Sequence, residues 1–146
     1  MVRPAVSAAR NNRLRDDLGR PQPPGSAGEP PSDAPALPPQ AALTEATRLL
    51  QGGKPFAAHE VLEAVWRATE GPERELWRGL AQLAVGVTHA MRGNPTGARS
   101  LFERAAASMA PYEGTTPHDI DVTSLRMWCL AAATEPDVAS TPPALG

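Results

Sequence analysis

Proline divides this sequence before any other residue does. Of its 17 prolines, nine fall in the first 40 residues. Proline fixes φ and removes an amide donor, so a stretch dense in it resists both helix and sheet. Residues 21–39 read PQPPGSAGEPPSDAPALPP, with Leu37 the one large aliphatic side chain among them. Such a segment cannot bury enough apolar surface to offset the entropy of ordering it. Residues 1–37 therefore read as a disordered, partly polyproline tail and linker. Arg3, Arg10, Arg13, Arg15 and Arg20 make its start mildly basic. A short helix near Ala8–Leu18 is compatible with the pattern, and Asp16 and Asp17 count against an Arg-rich targeting leader. Residues 136–146 read as a second disordered tail. Between the two lies one domain, residues 38–135, long enough for a single hydrophobic core.

Within that domain the punctuation changes meaning. Glycine and proline now occur singly, between runs of Ala, Leu, Glu and Arg, which are good helix formers. Alternating β-branched runs are absent, so no strand is expected. Five helices are predicted: Pro39–Gln51, Pro55–Thr69, Pro72–Met91, Pro95–Met109 and Val122–Ala133. Pro55 and Pro95 suit the first helical position, Asn94 and Asp121 suit N-caps, and Gly52 suits a helix end. Apolar arcs recur at helical spacing: Leu43, Ala46 and Leu50, then Ala58, Leu62 and Val65, then Leu76, Leu80, Leu83 and Val87. Ala98, Phe102, Ala105 and Met109 continue the series, and Leu125 and Cys129 end it. Gly79 and Gly86, seven apart beside a polar stripe, would let another backbone approach. Short loops imply antiparallel neighbours. The fold class is all-α, a compact up-and-down bundle of about five helices.

Charge and cysteine content narrow the function classes. Fourteen basic and sixteen acidic side chains give a net charge of −2, which supplies no long-range pull toward nucleic acid or anionic membrane. No apolar run reaches the ~18 residues of a membrane span, and no apolar leader opens the chain. Cys129 is the one cysteine, which excludes an internal disulfide and a cysteine-rich zinc site. On an apolar helical face it reads as an inert buried thiol. A cytoplasmic protein is the expectation.

Three constellations could carry chemistry. His59-Glu60-x-x-Glu63 puts an imidazole and a carboxylate one turn apart on one helix face. It departs from the zincin pattern because Glu63 stands where a second His would be. The plain alternative is a structural pair extended by Arg67 into a salt-bridge ladder. Arg78, Gln82 and His89 form a polar stripe on the third helix. If the second and third helices pair as a hairpin, His59, Glu63, Gln82 and His89 would share a crevice able to take a small ligand. Alternatively His59, Glu63 and His89 would hold a divalent metal, with Glu60 as the catalytic base toward bound water in a metal-dependent hydrolase. His118-Asp119-x-Asp121 reads as a loop followed by a helix N-cap. The three tryptophans sit on apolar arcs and read as core. No phosphate loop or nucleophile elbow is present.

The order of motifs resembles a bacterial and archaeal family, the domain of unknown function numbered 309. GGKPFAAHEVLEAVW, ERELWRGLAQLAVGVTHAMRGNPTGARSLFERA and DIDV carry the likeness, over residues 43–133. The matching positions are Phe56, His59, Glu60, Glu63 and Trp66, then Gly79, Leu80, Gln82 and Ala84. His89, Gly93, Asn94, Gly97, Ala98 and Asp121 complete them. The resemblance implies a helical bundle and supplies no reaction. It singles out His59, Glu60, Glu63, Gln82 and His89 as motif positions. Here Pro55-Phe56-Ala57-Ala58 replaces the family's aromatic-acidic approach to the histidine. The leading expectation is a ligand- or metal-binding bundle. A hydrolase and a helical-hairpin interaction module are the alternatives, with the partner and any homo-oligomer left open.

Overall fold

The computed structural model describes residues 35–146. The expectations for the leader up to residue 34 lie outside those residues. Five α-helices follow in order: α1 (Pro39–Gln51), α2 (Pro55–Ala68), α3 (Arg74–Met91), α4 (Pro95–Met109) and α5 (Val122–Thr134). Three 3-10 turns, Ala110–Tyr112, Pro117–Asp119 and Pro136–Ser140, complete the order. No strand occurs among the described residues. Each helix packs against the next, α1 on α2, α2 on α3, α3 on α4 and α4 on α5. This is the serial arrangement that short loops impose.

The helix ends follow the local chemistry. Prolines at the starts of α1, α2 and α4 lack an amide proton that the helix would have left unbonded. The Asn94 side chain accepts from the Gly97 amide and the Asp121 side chain from the Ser124 amide, so both predicted caps are formed. Gly93, at φ 76°, turns the chain between α3 and α4 in a region that L side chains avoid. α3 begins at Arg74 rather than at Pro72. The preceding turn is held from outside, since the Tyr112 hydroxyl donates to the Pro72 carbonyl.

The core is continuous through all five helices. Leu43, Leu50, Leu62, Leu76, Trp77, Leu80, Leu83, Phe102 and Met109 are essentially removed from solvent. The predicted arcs therefore point inward. Of the three tryptophans read as core, Trp77 is buried while Trp66 and Trp128 are only partly covered, and Met91 is 49 % exposed at the end of α3. The two stripe glycines serve the α3–α4 seam. A Cβ at Gly79 would lie 3.2 Å from the Ala105 carbonyl oxygen, and one at Gly86 would lie 2.5 Å from the Phe102 ring. Only hydrogen at those positions permits this approach.

The C-terminal segment corrects the reading of residues 136–146 as a disordered tail. Pro136–Ser140 forms a turn against α3 and α5, and Ala139 and Leu145 are buried. The Leu145 amide donates to Thr47 Oγ1 at 3.0 Å, and Trp128 Nε1 donates to the Thr141 carbonyl at 3.2 Å. Two anchors and a buried leucine, the latter contributing about 1.5–3 kcal/mol, offset the ordering entropy that composition suggested would win. The three prolines of the segment reduce that entropy in advance.

Candidate functional site

α2 carries the histidine and carboxylates on its outer flank. At 100° per residue, Phe56, His59, Glu63 and Trp66 fall on one stripe, stepping by three, four and three. The His59 side chain is 16 % exposed and its Nε2 lies 3.8 Å from Glu63 Oε2. Arg67 Nη2 lies 3.6 Å from the other Glu63 oxygen. The Phe56 ring packs against the imidazole at 5.0 Å between centroids. These separations are ion-pair distances without close hydrogen-bond geometry, so the carboxylate keeps acceptor capacity. Glu60, one turn before Ala64 on the same helix, is half-buried.

Trp66 ends the stripe with a distinctive feature. Its indole Nε1 is buried and has no hydrogen-bond partner among the described residues. A buried donor left in this state costs about 1–3 kcal/mol, so native structures rarely keep one. The ring itself is covered by the Arg74 guanidinium, 4.6 Å above its centroid. That arrangement is a cation–π contact across the α2–α3 corner.

The other two expected ligands are not gathered here. Gln82 turns to α4, where its Oε1 accepts from Ser108 Oγ at 2.9 Å. His89 lies at the α3–α4 turn, with Nδ1 3.2 Å from Asn94 Nδ2. Asn94 Oδ1 is already taken by the Gly97 amide at 3.0 Å. Its other terminal atom is thus the donor, and His89 Nδ1 is the acceptor. The neutral imidazole therefore carries its proton on Nε2. Burial first, and the nearby Arg92 charge second, push the His89 pKa below its ordinary value. The crevice of four residues between α2 and α3 divides in two. The physical reason is the placement of the glycines: they bring α4 onto the stripe that Gln82 and His89 occupy. Among the described residues no three His, Cys, Asp or Glu side chains are grouped to hold a metal ion, so His59, Glu63 and His89 do not form the metal set drawn from the sequence.

One polar junction joins His118, read from the sequence as part of a loop, to partners that no local spacing signals. His118 Nε2 lies 2.7 Å from Glu73 Oε1, its ring 5.7 Å from that of buried Trp77, and its carbonyl accepts from Gln40 Nε2 at 2.9 Å. The partners are 45 and 78 residues away, beyond any helical spacing. His118 and Asp119 both adopt positive φ, 54° and 63°, an uncommon conformation outside glycine. The junction pins the loop before α5 to α1 and to the α2–α3 turn. The Cys129 thiol is buried, with its pKa pushed up to about 12 by that burial, in keeping with an inert core group.

Residues 43–101 match the model of a domain of unknown function, DUF309. The match supports the family resemblance carried by the motifs, and it runs from Leu43 in α1 to Leu101 in α4. It contains the α2 stripe and the α3 side of the α3–α4 seam, and it stops before Phe102, Ser108, Asp121 and α5. No curated protein and no solved structure gives a significant match to the chain. No helix among the described residues is long and apolar enough to cross a membrane.

Proposed function

We propose that the chain is a helical-bundle binding protein whose site is the α2 stripe of Phe56, His59, Glu63 and Trp66, with Glu60 beside it. The observation that carries this reading is the buried Trp66 Nε1 donor without an acceptor, on the same stripe as the His59–Glu63 pair. The occupant is a small polar molecule with an acceptor for the Trp66 indole and a donor for the Glu63 carboxylate. Phe56 supplies an apolar wall against it. Gln82 and His89 act at a distance, by fixing α3 against α4 behind the site.

Nuclear magnetic resonance gives the direct test. The indole resonance of Trp66 is followed while fragments bearing both donor and acceptor groups (primary amides, amino alcohols, amino acids) are added. Binding is expected to move the Trp66 indole and the His59 ring signals together. Glu63→Gln is expected to weaken the response at least tenfold. Fragments that leave both signals unmoved throughout the set would remove the reading. A second reading, an interaction module, draws on one specific feature. α5 exposes Met127 at 65 % and Leu130 at 46 %, an apolar pair on the outer side of the bundle.

A further inference from the structure

A separate cavity of about 380 Å³ lies where the α3–α4 turn, the first turns of α4, the end of α5 and the C-terminal turn meet. That volume falls in the range of small-molecule sites, about 300–1,000 Å³. Its walls are mostly short or apolar: Ala90, Ala98, Phe102, Ala132 and Ala139. Short side chains on four separate elements leave the space open, because none reaches across it. The one charged residue in the lining is Arg99. Arg99 is exposed and makes no hydrogen bond or ion pair among the described residues. Glu135 and Asp137 are exposed neighbours in sequence and do not line the space.

A space walled mostly by short side chains, with Arg99 the one charged residue among its lining, has a specific complement. The hydrocarbon part of a ligand gains by leaving water against Ala90, Ala133, Pro95 and Pro136, the lining residues that keep accessible apolar surface. A carboxylate at its end matches the planar fork of Arg99 in a bidentate, charge-assisted pair. We propose that this cavity binds a small aliphatic or aromatic monocarboxylate, with the acid group on Arg99 and the hydrocarbon against those alanines and prolines. The site is independent of the α2 stripe and does not rest on its occupant.

Octanoate and its uncharged counterpart octanol are the probes, titrated into the full chain at equal ionic strength and followed by amide and indole resonances. Phe102 lines the space and meets Trp128 edge-on at 5.3 Å, so a ligand there is expected to move the Trp128 indole as well as the Ala90, Thr96 and Ala132 amides. Octanoate is expected to bind about tenfold more tightly than octanol, which is about 1.4 kcal/mol. Arg99→Gln, at an exposed position, is expected to abolish that preference while leaving octanol binding in place. Ala133→Leu, which fills part of the chamber from a half-buried helical position, is expected to weaken both ligands. Equal affinity for octanoate and octanol, an unchanged preference in Arg99→Gln, or no shifts around the cavity would each overturn the proposal.

Discussion

The α3–α4 seam and the α2 stripe carry similar residues and do different work. Each has a histidine and a carboxylate or amide at helical spacing. In the seam a partner helix closes over the polar groups. Gln82 is bonded by Ser108, and His89, Asn94 and Gly97 form a chain of contacts that staples the turn. On the stripe no helix covers His59 and Glu63 completely, their separation is 3.8 Å, and Trp66 Nε1 is left without an acceptor. The difference teaches that residue type and spacing set what chemistry a face can do, while the neighbouring backbone decides whether that capacity goes into packing or remains for a ligand.

The largest expected effect tests whether the seam is as tight as this contrast requires. Phe102 is fully buried against Gly86 and Trp128, and Phe102→Ala is expected to destabilise the fold by about 3–5 kcal/mol. Gly86→Ala adds helix propensity worth about 1 kcal/mol, yet its Cβ would sit 2.5 Å from the Phe102 ring. Overpacking of that kind costs about 1–3 kcal/mol, so a net loss is expected from urea denaturation. The double variant is expected to lose less than the sum of the two, because the small side chain removes the clash. A stabilising Gly86→Ala would break the comparison at its firmer end.

The turn between α3 and α4 comes next. Asn94→Ala removes both the cap on Gly97 and the donor to His89, and is expected to cost about 0.5–2 kcal/mol. His59→Ala on the stripe is expected to cost less than about 1 kcal/mol, since its carboxylate partner is partly exposed and the pair is a weak one. Thermal unfolding of the two variants side by side checks this order. If His59→Ala proves the more damaging, the stripe is structural and the contrast between the regions fails. Cys129 offers an independent gauge of the core: an alkylating reagent is expected to label it only at the rate at which the protein opens.

These same residues show what could be read from the sequence and what could not. The helices and most of their buried faces were legible because Pro55, Asn94, Pro95 and Asp121 act on their own local backbone, and because leucine spacing reports a helical period directly. The glycine pair announced a close approach without saying which helix would make it. That choice, α4 rather than α2, decided the fate of Gln82 and His89. It depends on how three helices pack together, which no spacing within α3 encodes. The Glu73–His118 contact was hidden for the same reason, its partners being 45 residues apart. The C-terminal segment misled in the opposite sense, as its composition resembles a tail while Leu145 and Thr47 form an anchor that only the folded bundle provides.

The smallest expected effect sharpens the comparison through pH. Burial and Arg92 lower the His89 pKa in the folded chain relative to its unfolded value near 6.5. The unfolded chain therefore takes up a proton at a higher pH than the folded one. The contribution of neutral His89 to stability is complete above the unfolded pKa and is lost as pH falls through the folded value. Its Nδ1 would gain a proton directly facing the Asn94 amide donor, so the staple would lose its acceptor in the same window. Urea midpoints are expected to fall slightly between pH 7.5 and pH 5.5, and His89→Gln is expected to flatten that slope by removing the titrating group. A slope that persists in His89→Gln and vanishes in His59→Ala would move the titrating histidine from the seam to the stripe. The half-open pair, and not the closed staple, would then be the histidine site that the fold holds away from its ordinary protonation.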